Sequence, residues 1–142
     1  MERYIGLDLG TTSLGIAISD EIGIVYGREN FLFERGNFKK AREHLLNLVK
    51  KEKINNIVIG LPLTLQGEEG VRVKSTYRFM EDCLKENPSL NVIYQDERYT
   101  TIEAKERMEA MNMKKKKYDN LIDMFSAIII LETYLGGLKK WI

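Results

Sequence analysis

A strand–turn–strand pattern near the N-terminus, over residues 5–20, constrains the fold and chemistry of this chain most strongly. It reads Ile-Gly-Leu-Asp-Leu-Gly-Thr-Thr-Ser-Leu-Gly-Ile-Ala-Ile-Ser-Asp, which is two apolar strands joined by a short polar turn. The first strand carries one acid, Asp8, and Gly10 follows it closely. Because a carboxylate taken out of water without a partner is unfavourable, the pattern predicts that Asp8 faces a metal ion or a phosphate-bearing ligand.

The hydrophobic periodicity predicts five strands and four helices. The strands are predicted at 4–9, 14–19, 24–33, 54–59 and 90–95, and the helices at 38–51, 68–85, 100–111 and 118–135. Short turns between the first three strands predict an antiparallel meander. The fourth strand is almost wholly apolar, which is typical of a parallel strand buried on both faces. This order predicts an α/β domain whose mixed five-stranded sheet, a meander plus two parallel strands, is flanked by helices.

Length and composition exclude several classes of protein. A chain of 142 residues predicts one domain spanning 1–142, and a formal net charge of +1 excludes a protein held to nucleic acid by bulk charge alone. The lone cysteine, Cys83, lies in a helical pattern and is predicted to be a small buried hydrophobe. We recognise no signal segment and no apolar run close to the roughly 20 residues of a bilayer span. We therefore expect a cytoplasmic protein with no membrane partner.

Two further acids occupy positions that packing alone does not explain. Glu97 stands directly after the fifth predicted strand, where the loops of open α/β sheets form ligand crevices. Asp123 lies in a helix that is apolar on nearly every face, just before the small residues Ser126 and Ala127. If the first and fifth strands are near neighbours, these acids and Asp8 are expected to face one crevice.

Converging carboxylates suit Mg²⁺ or Mn²⁺, because hard divalent cations prefer oxygen ligands. Two such ions about 4 Å apart can activate a water and stabilise the leaving oxygen of a phosphodiester. Each acid also has an ordinary structural interpretation. Asp8 could enter a hairpin, Glu97 could pair with Arg98 or cap a helix, and Asp123 could interact with the helix dipole.

Four motifs together resemble a known family. They are Gly-Leu-Asp-Leu-Gly with Gly-Ile-Ala-Ile-Ser-Asp (6–20), Gly-Leu-Pro-Leu (60–63), Asp-Glu-Arg-Tyr-Thr-Thr (96–101) and the run from Asp123 to Leu135. In this order, and over essentially the whole chain, they resemble the YqgF family, also called RuvX, whose names describe Holliday junction resolvases and nucleases for the 5′ end of pre-16S ribosomal RNA. The resemblance implies an RNase H-like fold, two-metal phosphodiester hydrolysis and a role in bacterial ribosome maturation.

The resemblance also implies roles for individual residues. By motif position, the family's three catalytic and metal-binding acids fall on Asp8, Glu97 and Asp123, with Asp119 as an alternative third acid. Arg98 is a candidate substrate contact that could instead orient Asp96 or Glu97. A basic run predicted to form a loop, usually a solvated feature, supplies the other candidate phosphate contacts, namely Lys114, Lys115, Lys116 and Lys117.

Several functions stay open on the sequence. The substrate could be structured RNA, including ribosome precursors, or branched DNA. Symmetric cutting of a junction favours a dimer, whereas RNA trimming is compatible with a monomer. A non-catalytic nucleic-acid-binding assembly factor could keep the same fold. The Asp-Leu-Gly-Thr-Thr segment (8–12) also resembles the phosphate hairpin of actin-like ATPases, but we find no second hairpin of that kind.

Overall fold

The computed structural model describes residues 1–139 and contains nine regular elements in that range. The strands are β1 (Tyr4–Leu9), β2 (Ser13–Ser19), β3 (Val25–Leu32), β4 (Asn56–Leu61) and β5 (Asn91–Asp96). The helices are α1 (Phe38–Glu52), α2 (Val71–Glu86), α3 (Thr100–Ala110) and α4 (Lys115–Lys139). The predicted order of elements is confirmed. Trp141, interpreted from the sequence as a packing residue and not a base-stacking one, lies outside the described residues.

All five strands form one mixed sheet in the order β3-β2-β1-β4-β5. β1 pairs antiparallel with β2, and β2 with β3, while β1, β4 and β5 run parallel to one another. The predicted sheet of a meander plus two parallel strands is therefore confirmed. Because β1 and β5 point the same way with β4 between them, their C-terminal ends lie on one edge of the sheet, one strand apart.

Helices cover both faces of this sheet. One face packs on α1 and α2 around fully buried aliphatic side chains, among them Ile5, Leu7, Leu45, Ile57, Ile59 and Met80. The other face packs on α4 through Ala127, Ile130 and Leu131. The cysteine Cys83 is buried in the first of these cores, as predicted. The central strand β1 is consequently buried on both sides.

Glycines on the sheet allow α4 to approach it unusually closely. A Cβ atom built on Gly15 would lie 2.0 Å from the carbonyl oxygen of Asp123, and one on Gly6 would lie 2.9 Å from that of Ala127. No side chain fits where backbone approaches backbone at such distances. The fully buried Ser126 and Ala127 complete this contact, as their size predicts. The first half of α4 is thereby held against β1 and β2.

The last helix begins earlier than the sequence predicts. Lys115, Lys116 and Lys117 form the first turn of α4, so the predicted loop over these three residues is wrong. The backbone N–H groups of Lys117 and Tyr118 donate to the carbonyl oxygen of Lys114 at 2.9 and 3.2 Å, which starts the helical bonding there. Lysine has a high helix propensity, so a run of lysines can extend a helix whose apolar pattern starts later.

Residues 116–137 of α4 also have the length and composition of a membrane-crossing helix. The prediction that no apolar run approaches such a span is therefore wrong. In the structure, Ala127, Ile130 and Leu131 of this stretch pack against the sheet. About 33% of its most apolar window is buried, so packing within the protein accounts for part of its apolar character.

Candidate active site

Asp8 and Glu97 meet above strand β4. Asp8 lies near the end of β1 and is 6% exposed, while Glu97 directly follows β5. The strand between them carries Gly60, where a Cβ atom would lie only 2.7 Å from Cδ of Glu97. The absence of a side chain at Gly60 is thus what lets Glu97 cross β4. The two carboxyl groups lie close enough for the charge of Glu97 to raise the pKa of Asp8.

Asp123 reaches the same region from α4. Its Oδ2 atom accepts a hydrogen bond from the Ser13 hydroxyl, and a Cβ atom built on Gly10 would lie 3.4 Å from that oxygen. All three predicted acids therefore converge at the C-terminal end of β1. Asp119, one turn earlier, instead lines a separate cavity between α3 and α4. The alternative third acid is therefore not part of this cluster.

Burial and mutual repulsion alter the protonation of the acid pair. Burial, together with the charges of Glu97 and Asp123, raises the pKa of Asp8 well above its usual range. Burial also raises the pKa of Glu97 to about 7, against the opposing charge of Arg72. With both pKa values raised, the pair retains a proton at a pH at which two exposed acids would lose it.

The three acids do not form a closed cage around one point. Over residues 1–139, no three acidic, histidine or cysteine side chains converge closely enough to hold one ion among them. Asp8 and Glu97 interact with each other, while Asp123 accepts a hydrogen bond from Ser13. The site consists of an acid pair plus a third carboxylate beside it.

The raised pKa values predict an unusual pH dependence of stability in EDTA. The folded state binds a proton that the unfolded state has lost, so stability should fall as pH rises from about 4.5, the ordinary value for Glu97, to about 7. This shift corresponds to about 3 kcal/mol at about 1.4 kcal/mol per pKa unit. Urea unfolding of the wild type and of Glu97→Gln at pH 5 and pH 8 measures it. Equal pH dependence in the two proteins would contradict the assignment.

Arg98 is engaged within the protein. Its Nε and Nη2 atoms lie 2.8 and 2.7 Å from Oδ2 of Asp96, and its Nη1 donates to the carbonyl oxygen of Leu65 at 3.5 Å. The hydrogen bond from Arg98 lowers the pKa of Asp96. The guanidinium thus joins the end of β5 to the β4–α2 loop, which matches the interpretation that Arg98 orients Asp96.

The basic run lies at the start of α4, away from the acid pair. Lys114, Lys116 and Lys117 line a cavity of about 610 Å³ together with Asn120 and the end of α3. Lys115 is the first residue of α4. Lys116 and Asn120 precede Asp123 at helical spacing. The basic run therefore lies on the same helix as Asp123 and apart from Asp8 and Glu97.

Two side chains of the site are not predicted from the sequence. Ser13 is the first residue of β2, and its hydroxyl could have suggested a hydrogen-bond partner for an acid. Arg72 lies in the first turn of α2 and donates to the carbonyl oxygen of Leu9 at 3.2 Å, and its charge acts on both Asp8 and Glu97. No motif marks Arg72, because a loop of unpredicted shape brings it to the acids.

The chain is similar along its whole length to known proteins. A relative from a Sulfurihydrogenibium species, named "Putative pre-16S rRNA nuclease", is 40% identical over 140 residues, covering 98% of this chain and 93% of the relative. A relative of the same name from a Geobacillus species is 34% identical over 136 residues, covering 95% and 98%.

A solved structure shares the architecture of this chain, and a family description matches its sequence. The chain resembles Thermus thermophilus RuvC in complex with a Holliday junction substrate, with a TM-score of 0.63 and 12% identity over 97% of this chain and 96% of that one. This likeness confirms the predicted RNase H-like fold. Residues 2–137 match the family described as RuvX, Holliday junction resolvase. On this match and the identity to its relatives, the chain belongs to the RuvX family.

Proposed function

We propose that this protein is a metal-dependent nuclease in which Asp8, Glu97 and Asp123 bind two divalent cations, Mg²⁺ or Mn²⁺, to hydrolyse phosphodiester bonds. The observation that carries the proposal is the convergence of three carboxylates at one sheet edge, in a place where burial raises the pKa of two of them. Such crowding of like charge is unfavourable unless a cation compensates it. Strongly shifted acids in a cleft are typical of functional sites.

The donor set fits magnesium or manganese. Carboxylate oxygens are the ligands that these hard cations prefer, and Mg²⁺ is commonly bound by one or two carboxylates together with substrate phosphates. An acid pair with a third carboxylate beside it fits that mode, in which phosphate oxygens complete the coordination. The arrangement does not require three protein ligands on a single ion, in agreement with their separation in the structure.

The residues of the site have distinct roles in this proposal. When bound, the cations supply an activated water and stabilise charge on the leaving oxygen. Asp8, fixed in the central strand, would hold the cations together with Glu97 and Asp123. The Ser13 hydroxyl occupies one oxygen of Asp123 and so orients its carboxylate. Because Asp8 and Glu97 retain a proton between them, binding of cations should release it.

The substrate that we propose is the 5′ region of precursor 16S ribosomal RNA, processed in the bacterial cytoplasm during ribosome biogenesis. The names of the relatives from Sulfurihydrogenibium and Geobacillus support this proposal. A four-way DNA junction is the alternative substrate, supported by the family description. A non-catalytic assembly factor would bind RNA without cutting it, and an actin-like ATPase would bind ATP tightly.

We propose further that the basic run contacts substrate phosphates beside the acid cluster. Lys114, Lys116 and Lys117 line an open cavity on the path along α4 to Asp123. Several lysines in a row favour the binding of a nucleic-acid strand, because their contacts with phosphates release counterions. The low net charge of the whole chain makes such a local patch the main source of electrostatic attraction.

The nuclease proposal predicts different effects for two acids on one helix. Asp123→Asn should reduce Mg²⁺-dependent cleavage of a stem-loop RNA with a single-stranded 5′ extension by more than about 100-fold, because it removes a metal ligand. The matched control Asp119→Asn, one turn away and exposed, should keep nearly full activity. Cleavage is measured in single-turnover time courses. Equal rates in the two variants would contradict the site.

A further inference from the structure

Arg72 is the cation of α2 that stands at the acid cluster. Its Nη2 atom donates to the carbonyl oxygen of Leu9, the residue after Asp8, at 3.2 Å. Its charge lowers the pKa of both Asp8 and Glu97 against the effect of burial. The guanidinium is therefore fixed at the end of β1, where the proposed chemistry takes place.

Arg72 retains unused binding capacity in this position. A guanidinium has five N–H donors, and the Leu9 carbonyl accepts from one of its nitrogens. Within the described range, no carboxylate oxygen lies within 4.0 Å of Arg72, whereas Arg98 is paired at 2.7 Å with Asp96. Arg72 thus lies near the acids without being neutralised by contact with one of them.

The space beside Arg72 admits only a small group. Arg72 lines a cavity of about 40 Å³ whose other walls are Leu9, Gly10, Thr11, Phe38, Ser75 and Thr76. This volume holds about one water-sized oxygen, which excludes a nucleobase. The side chain itself is exposed to solvent and can be reached from outside. The cavity therefore suits a single oxygen of an anionic group.

We propose that Arg72 binds a phosphate oxygen of the nucleic-acid backbone at the acid cluster, so that Arg72, and not Arg98, is the arginine that contacts the phosphodiester to be cut. This inference rests on the proposed nuclease function. The planar guanidinium fork matches phosphate geometry and gives charge-assisted hydrogen bonds. It also offsets the repulsion that a phosphate would meet from the neighbouring carboxylates.

A binding experiment tests the contact independently of cleavage. In an Asp123→Asn background, which leaves Asp8 and Glu97 intact, anisotropy of a labelled stem-loop RNA with a 5′ extension is measured across a salt series in Mg²⁺. Arg72→Gln should weaken binding about tenfold and reduce the salt slope by about one phosphate contact. The matched control Arg78→Gln, on the same helix, exposed and paired with Asp82, should leave the slope unchanged. Arg98→Gln should also leave it unchanged.

Cleavage by otherwise wild-type protein separates a substrate contact from a structural role. Arg72→Gln should slow single-turnover cleavage about 100-fold, whereas Arg72→Lys should restore the salt slope and only part of the rate, because lysine keeps the charge without the fork. If Arg72 had a purely structural role, Arg72→Lys would not restore the salt slope while leaving the rate reduced. A four-way DNA junction in the same assays shows whether the contact extends to DNA.

The outcomes distinguish this inference from the nuclease proposal. If the wild type cuts neither RNA nor junction but Arg72→Gln still lowers the salt slope, the nuclease proposal fails and the phosphate contact stands. If the wild type cuts while Arg72→Gln behaves like Arg78→Gln in slope and rate, the inference is overturned. A loss of slope in Arg98→Gln that equals the loss in Arg72→Gln would also overturn it.

Discussion

Replacing Asp8 with asparagine should abolish Mg²⁺-dependent cleavage while stabilising the protein in EDTA. Activity should fall by more than about 100-fold, because the variant removes a carboxylate that would hold the cations. Stability at pH 8 should rise by about 1–3 kcal/mol, because the buried, repelled carboxyl group is replaced by a neutral amide of the same shape. Single-turnover cleavage and urea unfolding measure the two effects.

The opposite signs of these effects make the Asp8 prediction specific. A substitution that merely disturbs a buried strand would lower both activity and stability, as most core substitutions do. Asp119→Asn, exposed on α4, should change neither quantity and serves as the reference. Full Mg²⁺-dependent activity in Asp8→Asn would remove this residue from the site. A marked loss of stability at pH 8 would show that Asp8 is a structural residue.

Gly15→Ala should strongly destabilise the fold. The added Cβ atom would lie 2.0 Å from the carbonyl oxygen and 2.2 Å from the carbonyl carbon of Asp123, so α4 would have to move away from β2. Overpacking usually costs about 1–3 kcal/mol, and we expect at least the upper value here because neither backbone can rotate out of the way. Asp123 should be displaced, so cleavage should be lost as well. Thermal and urea unfolding measure the effect.

The helix itself provides the matched control for Gly15→Ala. Gly136 lies exposed on α4, and a Cβ atom built there meets nothing within 4 Å among the described residues. Gly136→Ala should therefore stabilise the protein by about 0.5–1 kcal/mol through helix propensity. If Gly15→Ala were as well tolerated as Gly136→Ala, the close contact between α4 and β2 would not exist in solution.

The order of elements is predictable because the hydrophobic period changes along the chain. Alternating and continuous apolar runs mark the strands, and short turns near Gly10 and Gly23 allow only antiparallel pairing of the first three. The start of α4 is not predictable in the same way. Its first turn is built from lysines, which leave no apolar period to detect.

The three acids are predictable because a carboxylate in an apolar segment is unfavourable unless it has a partner. The family motifs point to the same residues. What positions them is harder to predict. Gly60 lets Glu97 cross β4, and Gly15 lets α4 bring Asp123 close, but a glycine in a strand has several explanations. Arg72 depends on the path of the β4–α2 loop, which no periodicity describes. Close approach and loop path are properties of the packed fold.

The most direct test of the account is cleavage of RNA by the purified wild-type protein. A stem-loop RNA with a single-stranded 5′ extension, single-stranded DNA and a four-way junction are incubated with Mg²⁺ or Mn²⁺, or with EDTA. The proposed function of Asp8, Glu97 and Asp123 predicts cleavage of the RNA with either cation and none in EDTA. Absence of cleavage of all three substrates with both cations, or cleavage that persists in EDTA, would contradict it.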